Sequence, residues 1–140
     1  MTEADLAGVA AIENESFSPW SEALLAQELE VSASIQLVAE SSGHQLAGWC
    51  ACRVICPEAE LLKIAVKKKN RERGIGRFLL EYLFGELKKR KVTSLFLEVR
   101  SKNRTAYNFY EGHGFFCVGL RPDYYVDPPD SAMILRKNFL

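Results

Sequence analysis

Apolar positions along this chain switch between two spacings. After Thr2-Glu3-Ala4-Asp5, residues Leu6, Val9, Ala10, Ile12 and Glu13 recur at helical intervals. Phe17-Ser18-Pro19-Trp20 interrupts that pattern. Ser21 then suits the N-cap of a second helix, with Leu24, Leu25 and Leu29 on its apolar side and an end at Ser32 to Ser34. Ile35 to Glu40 reads as a strand, Ser41 to His44 as a turn, and Gln45 to Ile55 as the returning strand of a hairpin with small residues at its middle. Pro57-Glu58-Ala59-Glu60 reads as another turn, Leu61 to Val66 as a strand and Arg77 to Arg90 as a long amphipathic helix. Thr93 to Val99 has the character of a buried strand. Asn103 suits the N-cap of a short helix through Tyr110, closed by Gly112-His113-Gly114. Phe115 to Leu120 and Met133 to Asn138 read as two last strands, joined by a loop rich in Tyr, Asp and Pro. This order predicts an α/β protein (α+β by another convention), with a mixed central sheet of about six strands flanked by about four helices. Residues 1–140 carry no repeat, linker or low-complexity segment, so one domain is expected.

Composition narrows the function classes. At 48% hydrophobic and 26% charged, the chain has the apolar material for a packed core and does not read as disordered. Lys+Arg and Asp+Glu both number 18, so no bulk attraction to nucleic acid or membrane is implied. No apolar run approaches the ~18 residues of a membrane span. The acidic start Met1 to Asp5 lacks the basic and apolar regions of a signal peptide, which makes the cytoplasm the expected location. Cys50 and Cys52 share a face of one strand, and Cys56 and Cys117 stand apart. Neither the cysteines nor His44 and His113 have metal-ligand spacing, so free, mostly buried thiols and no metal are expected.

The chemistry concentrates at Arg71-Glu72-Arg73-Gly74-Ile75-Gly76, between a strand and a helix. A basic, glycine-bearing turn that opens a helix presents backbone N–H groups and a positive dipole end to an anion, which suits phosphate. Three phosphate-bearing ligands can be weighed. A dinucleotide turn needs G-x-G-x-x-G; Gly74 and Gly76 fit, but the third position is Leu79, although Glu98 lies at the distance of the expected acid. A nucleotide triphosphate needs G-x-x-x-x-G-K-[ST], which the chain lacks. Coenzyme A, with its pyrophosphate, suits a turn of the form [Q/R]-x-x-G-x-[G/A], which Arg71-x-x-Gly74-x-Gly76 matches.

In this company the sequence resembles the GCN5-related N-acetyltransferase superfamily and, within it, the bacterial ribosomal-protein-alanine N-acetyltransferases of the RimI type. The resembling segments are Phe17-Ser18-Pro19-Trp20-Ser21, Ile64-Ala65-Val66, Arg71 to Arg77 with Phe78-Leu79-Leu80-Glu81, Leu97-Glu98-Val99-Arg100, Ser101-x-Asn103, Phe109-Tyr110-Glu111, Gly114-Phe115 and Arg121-x-x-Tyr124-Tyr125. They run in family order across most of the chain. Two departures stand out. The family opens with a short strand before the segment at which this chain begins, so the resemblance implies that this strand is missing and that a sheet edge is exposed. Glu72 stands where the narrower family has a basic residue.

The resemblance implies acetyl-CoA as co-substrate. It implies that Ile64, Ala65 and Val66 offer backbone groups to the pantetheine arm and acetyl carbonyl. Arg71, Glu72, Arg73, Gly74, Ile75, Gly76 and Arg77 would wrap the pyrophosphate, with Asn103 contacting the cofactor as well as capping its helix. Glu98 would be the general base, through water or directly, and Tyr110 the acid that protonates the departing thiolate. Trp20 and Tyr124 would flank the acceptor groove. The residues themselves bear on two of these roles. A carboxylate inside Leu95-Phe96-Leu97-Glu98-Val99 either serves as a base with a raised pKa or pairs with Arg100 two positions on. A phenol near pKa ~10 can protonate a thiolate near ~8.5, while Tyr107 and Phe109 suit core packing. The Lys67–Lys69 run fits either a solvated loop or a contact to the cofactor's 3′-phosphate.

Proton energetics bear on the acceptor. Deprotonation at pH 7 costs about 1.4 kcal/mol for a protein α-amine and about 4.6 kcal/mol for lysine. A single carboxylate therefore suits an α-amine. The narrower resemblance implies the N-terminal alanine of ribosomal protein bS18 as acceptor, with no direct nucleic-acid or membrane partner and a monomer or weak dimer. Two other readings stay open: acetylation of lysine, a small amine or an antibiotic, and a coenzyme A-binding regulatory domain without turnover.

Overall fold

The computed structural model describes residues 1–16 and 18–139; Phe17, in the Phe17–Ser21 run, lies outside the described residues. A single 3-10 turn, Glu3–Asp5, leads into α1 (Leu6–Glu13), followed by α2 (Glu22–Leu29), β1 (Ser34–Glu40), β2 (Leu46–Ile55) and β3 (Glu58–Val66). A second 3-10 turn, Lys68–Asn70, precedes α3 (Ile75–Lys89), β4 (Ser94–Arg100), α4 (Arg104–Glu111), β5 (Phe116–Val126) and β6 (Pro129–Asn138). The sheet is six-stranded, in the order β1-β2-β3-β4-β6-β5. Neighbours are antiparallel except β3 and β4, which run parallel. The mixed sheet expected from the sequence is the one observed.

Alternation along β2 explains why helices cover both faces. Cys50 and Cys52 point into a core with Leu79, Leu80, Leu83 and Leu87 of α3 and Tyr110 of α4. Trp49 and Ala51, one position out of phase, point into a second core with Val9 and Ile12 of α1 and Leu25 of α2. A strand buried on both sides reads as a near-continuous apolar run, as Ala47 to Cys52 does. The caps fall where expected: Ser21 Oγ accepts from Leu24 N (3.2 Å), and Asn103 Oδ1 accepts from Ala106 N (3.1 Å). Of the cysteines, Cys50 and Cys52 are buried and Cys56 and Cys117 exposed, all as free thiols. Among the described residues no helix is long and apolar enough to cross a membrane.

Two expectations need correction. β3 begins at Glu58, inside the expected turn, because Glu58, Ala59 and Glu60 pair with β2 on one side and β4 on the other. Their alternation, with Ala59 buried between exposed glutamates, continues the strand pattern behind Pro57. The expected long loop before Met133 is instead a hairpin: β5 runs to Val126, β6 starts at Pro129, and a register shift between Arg121 and Tyr125 absorbs the turn-like residues, with Asp123 at φ 54°.

A buried carboxylate fastens α2 to the sheet. Glu28 Oε1 and Oε2 accept from Arg53 Nη2 (2.7 Å) and Nε (3.1 Å), and the Glu28 carbonyl accepts from Gln36 Nε2 (2.8 Å). The bond from Arg53 holds the Glu28 carboxyl below its ordinary value of 4.5, against the opposing effect of burial. A depressed carboxyl contributes stability that is present above the unfolded pKa and is lost as pH falls through the folded one. Arg53 is 47% exposed, so screening limits the pair to about 1 kcal/mol. Glu28→Gln should therefore lower the melting temperature near neutral pH by a few degrees. The gap to the unsubstituted chain should narrow as pH drops below 4.5, and thermal melts across that range measure it.

Candidate active site

The site begins with a ladder that stops. β3 and β4 pair only at Glu58–Ser94, Ala59–Leu95 and Glu60–Phe96. Beyond Glu60 the strands part. Leu61 to Val66 keep their partners in β2, and Leu97 to Arg100 keep theirs in β6, but no ladder joins the two stretches among the described residues. The register shift opposite Ala51 and Cys52 leaves Leu62 of β3 without a partner in β2, and such a bulge bends a strand. The result is a wedge with a free backbone edge along β3, at the position of Ile64, Ala65 and Val66. Buried backbone groups need partners, so this edge suits an extended ligand that can hydrogen-bond as a strand does.

The glycine turn closes one end of the wedge. Glu72 and Gly74 both take left-handed backbone conformations, at φ 63° and 81°. The amides of Glu72, Arg73, Gly74, Ile75, Gly76 and Arg77 have no acceptor among the described residues. Successive free amides in such a turn, at the N-terminus of the long helix α3, form an anion-binding nest. Glu72 is exposed, so its charge stands in solvent. Arg71 has a second use: its Nε donates to the Val66 carbonyl at 3.1 Å and ties the turn to the end of β3. Arg77 pairs with Glu81 one helical turn on (3.0 Å). In the Lys67–Lys69 run, Lys68 and Lys69 are exposed; Lys69 Nζ donates to Gln45 Oε1 (3.2 Å) and the Lys68 amide to Glu15 Oε1 (2.9 Å).

Close contacts set the shape of this end. A Cβ on Gly76 would lie 3.4 Å from Phe109 Cζ and 3.8 Å from Val66 Cγ2, so the turn, β3 and α4 converge there. Gly48 of β2 was not singled out from the sequence. A Cβ there would lie 3.0 Å from Ile75 Cγ2 and 3.1 Å from both the Ala65 carbonyl and Leu79 Cδ1. A side chain at this position would crowd α3 at its present height above the sheet.

Glu98 lies on the other face. Leu97 and Val99 point into the α3 core, so Glu98 points toward the α1 and α2 side, with its side chain 24% exposed. Arg100, the alternative partner weighed from the sequence, binds other groups: its guanidinium donates to the carbonyls of Pro128 (2.7 Å) and Asp127 (3.2 Å) and lies over the Tyr125 ring at 4.1 Å. The cation beside Glu98 is Arg121, at 3.6 Å, and Arg121 in turn lies 5.5 Å from the Tyr124 ring. Thus β5, through its irregular stretch, brings Arg121 and Tyr124 to the neighbourhood of Glu98. Tyr110 is buried in the α3 core, edge-on to Phe109 (5.3 Å) and Phe115 (5.5 Å), and burial raises its pKa. Its hydroxyl has no hydrogen-bond partner among the described residues. Phe109 and Tyr107 pack against that core, as expected.

Trp20 is half-buried, edge-on to Trp49 at 5.7 Å. It lines a cavity of about 480 Å³ with Leu24, Val31, Arg53 and the bulged Leu62, on the same side of the sheet as Glu98. Sequence reasoning missed how Trp20 is held. Glu13, fully buried, accepts from the Trp20 amide at Oε1 (2.9 Å) and from Trp49 Nε1 at Oε2 (2.9 Å), and Lys63 Nζ stands 3.3 Å from Oε1. The available signal was a carboxylate on the buried stripe of α1, four residues after Val9.

With this geometry in place, comparisons with known proteins identify the class. Residues 6–115 match the model of the acetyltransferase (GNAT) family. The chain is 38% identical over 120 residues to the [ribosomal protein bS18]-alanine N-acetyltransferase of Escherichia coli K12, spanning 84% of this chain and 79% of the relative. It is 34% identical over 133 residues to a putative enzyme of the same name from Bacillus subtilis 168, spanning 94% and 87%. The crystal structure of the ribosomal-protein-S18-alanine N-acetyltransferase from Escherichia coli superposes with a TM-score of 0.90 at 33% identity, covering 99% of this chain and 90% of that one. The chain belongs to the acetyltransferase (GNAT) family and is an acyltransferase.

Gly48→Ala tests how the turn is seated. A methyl there is crowded by Ile75 and Leu79 of α3 and by the Ala65 carbonyl of β3, so both α3 and the local β2–β3 pairing must shift. We expect a loss of about 1–3 kcal/mol in a thermal or urea melt. Weaker coenzyme A binding by calorimetry should accompany it, because the amides of the turn move with α3.

Proposed function

We propose that this protein transfers an acetyl group from acetyl-CoA to the α-amine of a protein N-terminus, with the N-terminal alanine of ribosomal protein bS18 as the leading acceptor. The observation that carries the reading is the pairing of a free β3 edge and amide nest with a carboxylate, Glu98, on the opposite side of the same wedge. The names of the relatives support the choice of acceptor.

In this reading the pyrophosphate sits on the amides of Glu72 to Arg77, helped by Arg73 and Arg77, while Asn103 offers its free amide nitrogen to the cofactor. The pantetheine arm pairs with Ile64, Ala65 and Val66 as a short extra strand. Backbone N–H groups there polarise the thioester carbonyl. Glu98 takes a proton from the acceptor ammonium, directly or through water, and the amine nitrogen then attacks the carbonyl carbon. The C–S bond breaks and the thiolate takes the Tyr110 hydroxyl proton; the nitrogen releases its second proton to water as the amide forms, Tyr110 regains a proton from solvent, and Glu98 returns its own to water. Burial raises the pKa of Tyr110 and so keeps it protonated at neutral pH; donation then requires a thiolate that is itself desolvated in the same apolar surroundings. Trp20 and Tyr124 flank the entering chain. Cys50 takes no part: burial pushes its thiol up to about 12.

Thiol release from acetyl-CoA, followed with a panel of amines, tests the reading. Peptides beginning Ala-Arg should turn over faster than the same peptides with a blocked N-terminus and an internal lysine, and faster than small amines. A preference for small amines would replace the acceptor; cofactor binding without turnover of any amine would favour a regulatory domain. Glu98→Gln should lower kcat by about 10²–10⁴-fold while leaving acetyl-CoA affinity unchanged. Tyr110→Phe should lower kcat with a stability change of under about 1 kcal/mol, since the hydroxyl has no partner to lose. Turnover left intact in either variant removes that residue from the mechanism.

A further inference from the structure

Between α1 and α2 the described residues, 14–16 and 18–21, are in neither helix nor strand, yet they include Trp20. Side chains from outside the segment hold it. Glu13, at the end of α1, receives the Trp20 amide at 2.9 Å, and its second oxygen receives Trp49 Nε1 at 2.9 Å. Lys63 stands 3.3 Å from the same carboxylate and donates to the Ser18 carbonyl at 2.9 Å. Glu13 has no exposure at all, and the Lys63 side chain is 18% exposed. A buried ion pair is weak evidence for stability, because well-packed apolar groups of the same volume serve that end about as well. What this pair supplies is direction. Its bonds end on the backbone of Ser18 and Trp20 and on one indole nitrogen, which fixes where the segment lies.

The origin of Lys63 gives that placement a meaning. It belongs to β3, in the stretch past Glu60 where the ladder to β4 has ended, next to Ile64, Ala65 and Val66. The strand that would receive the thioester is therefore also the strand on which the acceptor-side segment is anchored. We propose that the Glu13–Lys63 pair is a positioning device for the acceptor. It places the Ser18–Trp20 segment against β3, so that the amine and the thioester are set from one strand. Glu13 and Lys63 are positioning residues that act through Trp20. The proposal rests on the reading that the acceptor enters on the Trp20 side. Misplacing a bound group by about 1 Å costs up to ~10²-fold in reaction, so anchoring both reactants to one strand has a kinetic consequence.

Steady-state kinetics on Glu13→Gln and Lys63→Met test this, using whichever amine in the panel the unsubstituted protein acetylates. That choice separates an error in acceptor identity from an error here. In both variants KM for the acceptor should rise by about tenfold or more, with KM for acetyl-CoA changed by less than about twofold. Lys63→Arg should restore the acceptor KM. The chain has only two tryptophans, both bonded to Glu13, so Glu13→Gln should also shift the intrinsic emission. If Glu13→Gln does not fold, the partly exposed Lys63 decides alone. An unchanged acceptor KM in a folded variant overturns the proposal. So does an equal rise in both KM values with a lowered melting temperature, which marks a general loosening.

Discussion

β3 leaves β4 after Glu60, and the backbone from Leu61 to Val66 keeps strand partners on one side only. The other features of the site are arranged around that opening. The Leu62 bulge bends β3 away, Gly48 lets α3 settle against the sheet beside it, and the left-handed Glu72 and Gly74 turn the amides of the following loop outward. A continuous parallel ladder would bury these strands fully and leave no edge for a ligand. The early end of pairing converts a structural sheet into a cleft with hydrogen-bonding walls, and membership of the acetyltransferase (GNAT) family gives the cleft a known class of chemistry.

The two faces of the sheet carry different groups. The α3 and α4 face supplies the anion nest, the convergence of Val66, Gly76 and Phe109, and the buried Tyr110. The α1 and α2 face supplies Glu98 with Arg121 and Tyr124, and the cavity beside Trp20. The ionised groups differ in setting. Glu98 meets Arg121 at 3.6 Å with both partly in solvent, so the contact is weak. Glu13 is held by short bonds in a fully buried position, where loss of a partner is far costlier.

Much of this was legible because local chemistry and global fold agree. Ser21 and Asn103 cap the helices they were expected to cap, and the apolar run of β2 does lie between two cores. The basic glycine turn opens a helix, as its residues require. What the sequence hid was tertiary. The hairpin of β5 and β6 was masked by Tyr, Asp and Pro residues that a register shift accommodates. The partner of Glu98 comes from β5 rather than from its own strand, because the carbonyls of Asp127 and Pro128 occupy Arg100. Glu13 and Lys63 lie 50 positions apart and meet only because α1 packs on β3. The need for glycine at position 48 depends on the approach of α3, which no spacing rule encodes.

In the proposed function, the free edge of β3 and the amide nest together receive the cofactor. Amide hydrogen exchange with and without coenzyme A tests it directly, since the same N–H groups are the proposed ligands. New protection is expected only at Ile64 through Val66 and Glu72 through Arg77, with little change in β1 or at the turn between β5 and β6. Protection elsewhere, with these amides exchanging at their original rates in the cofactor-bound protein, would contradict it.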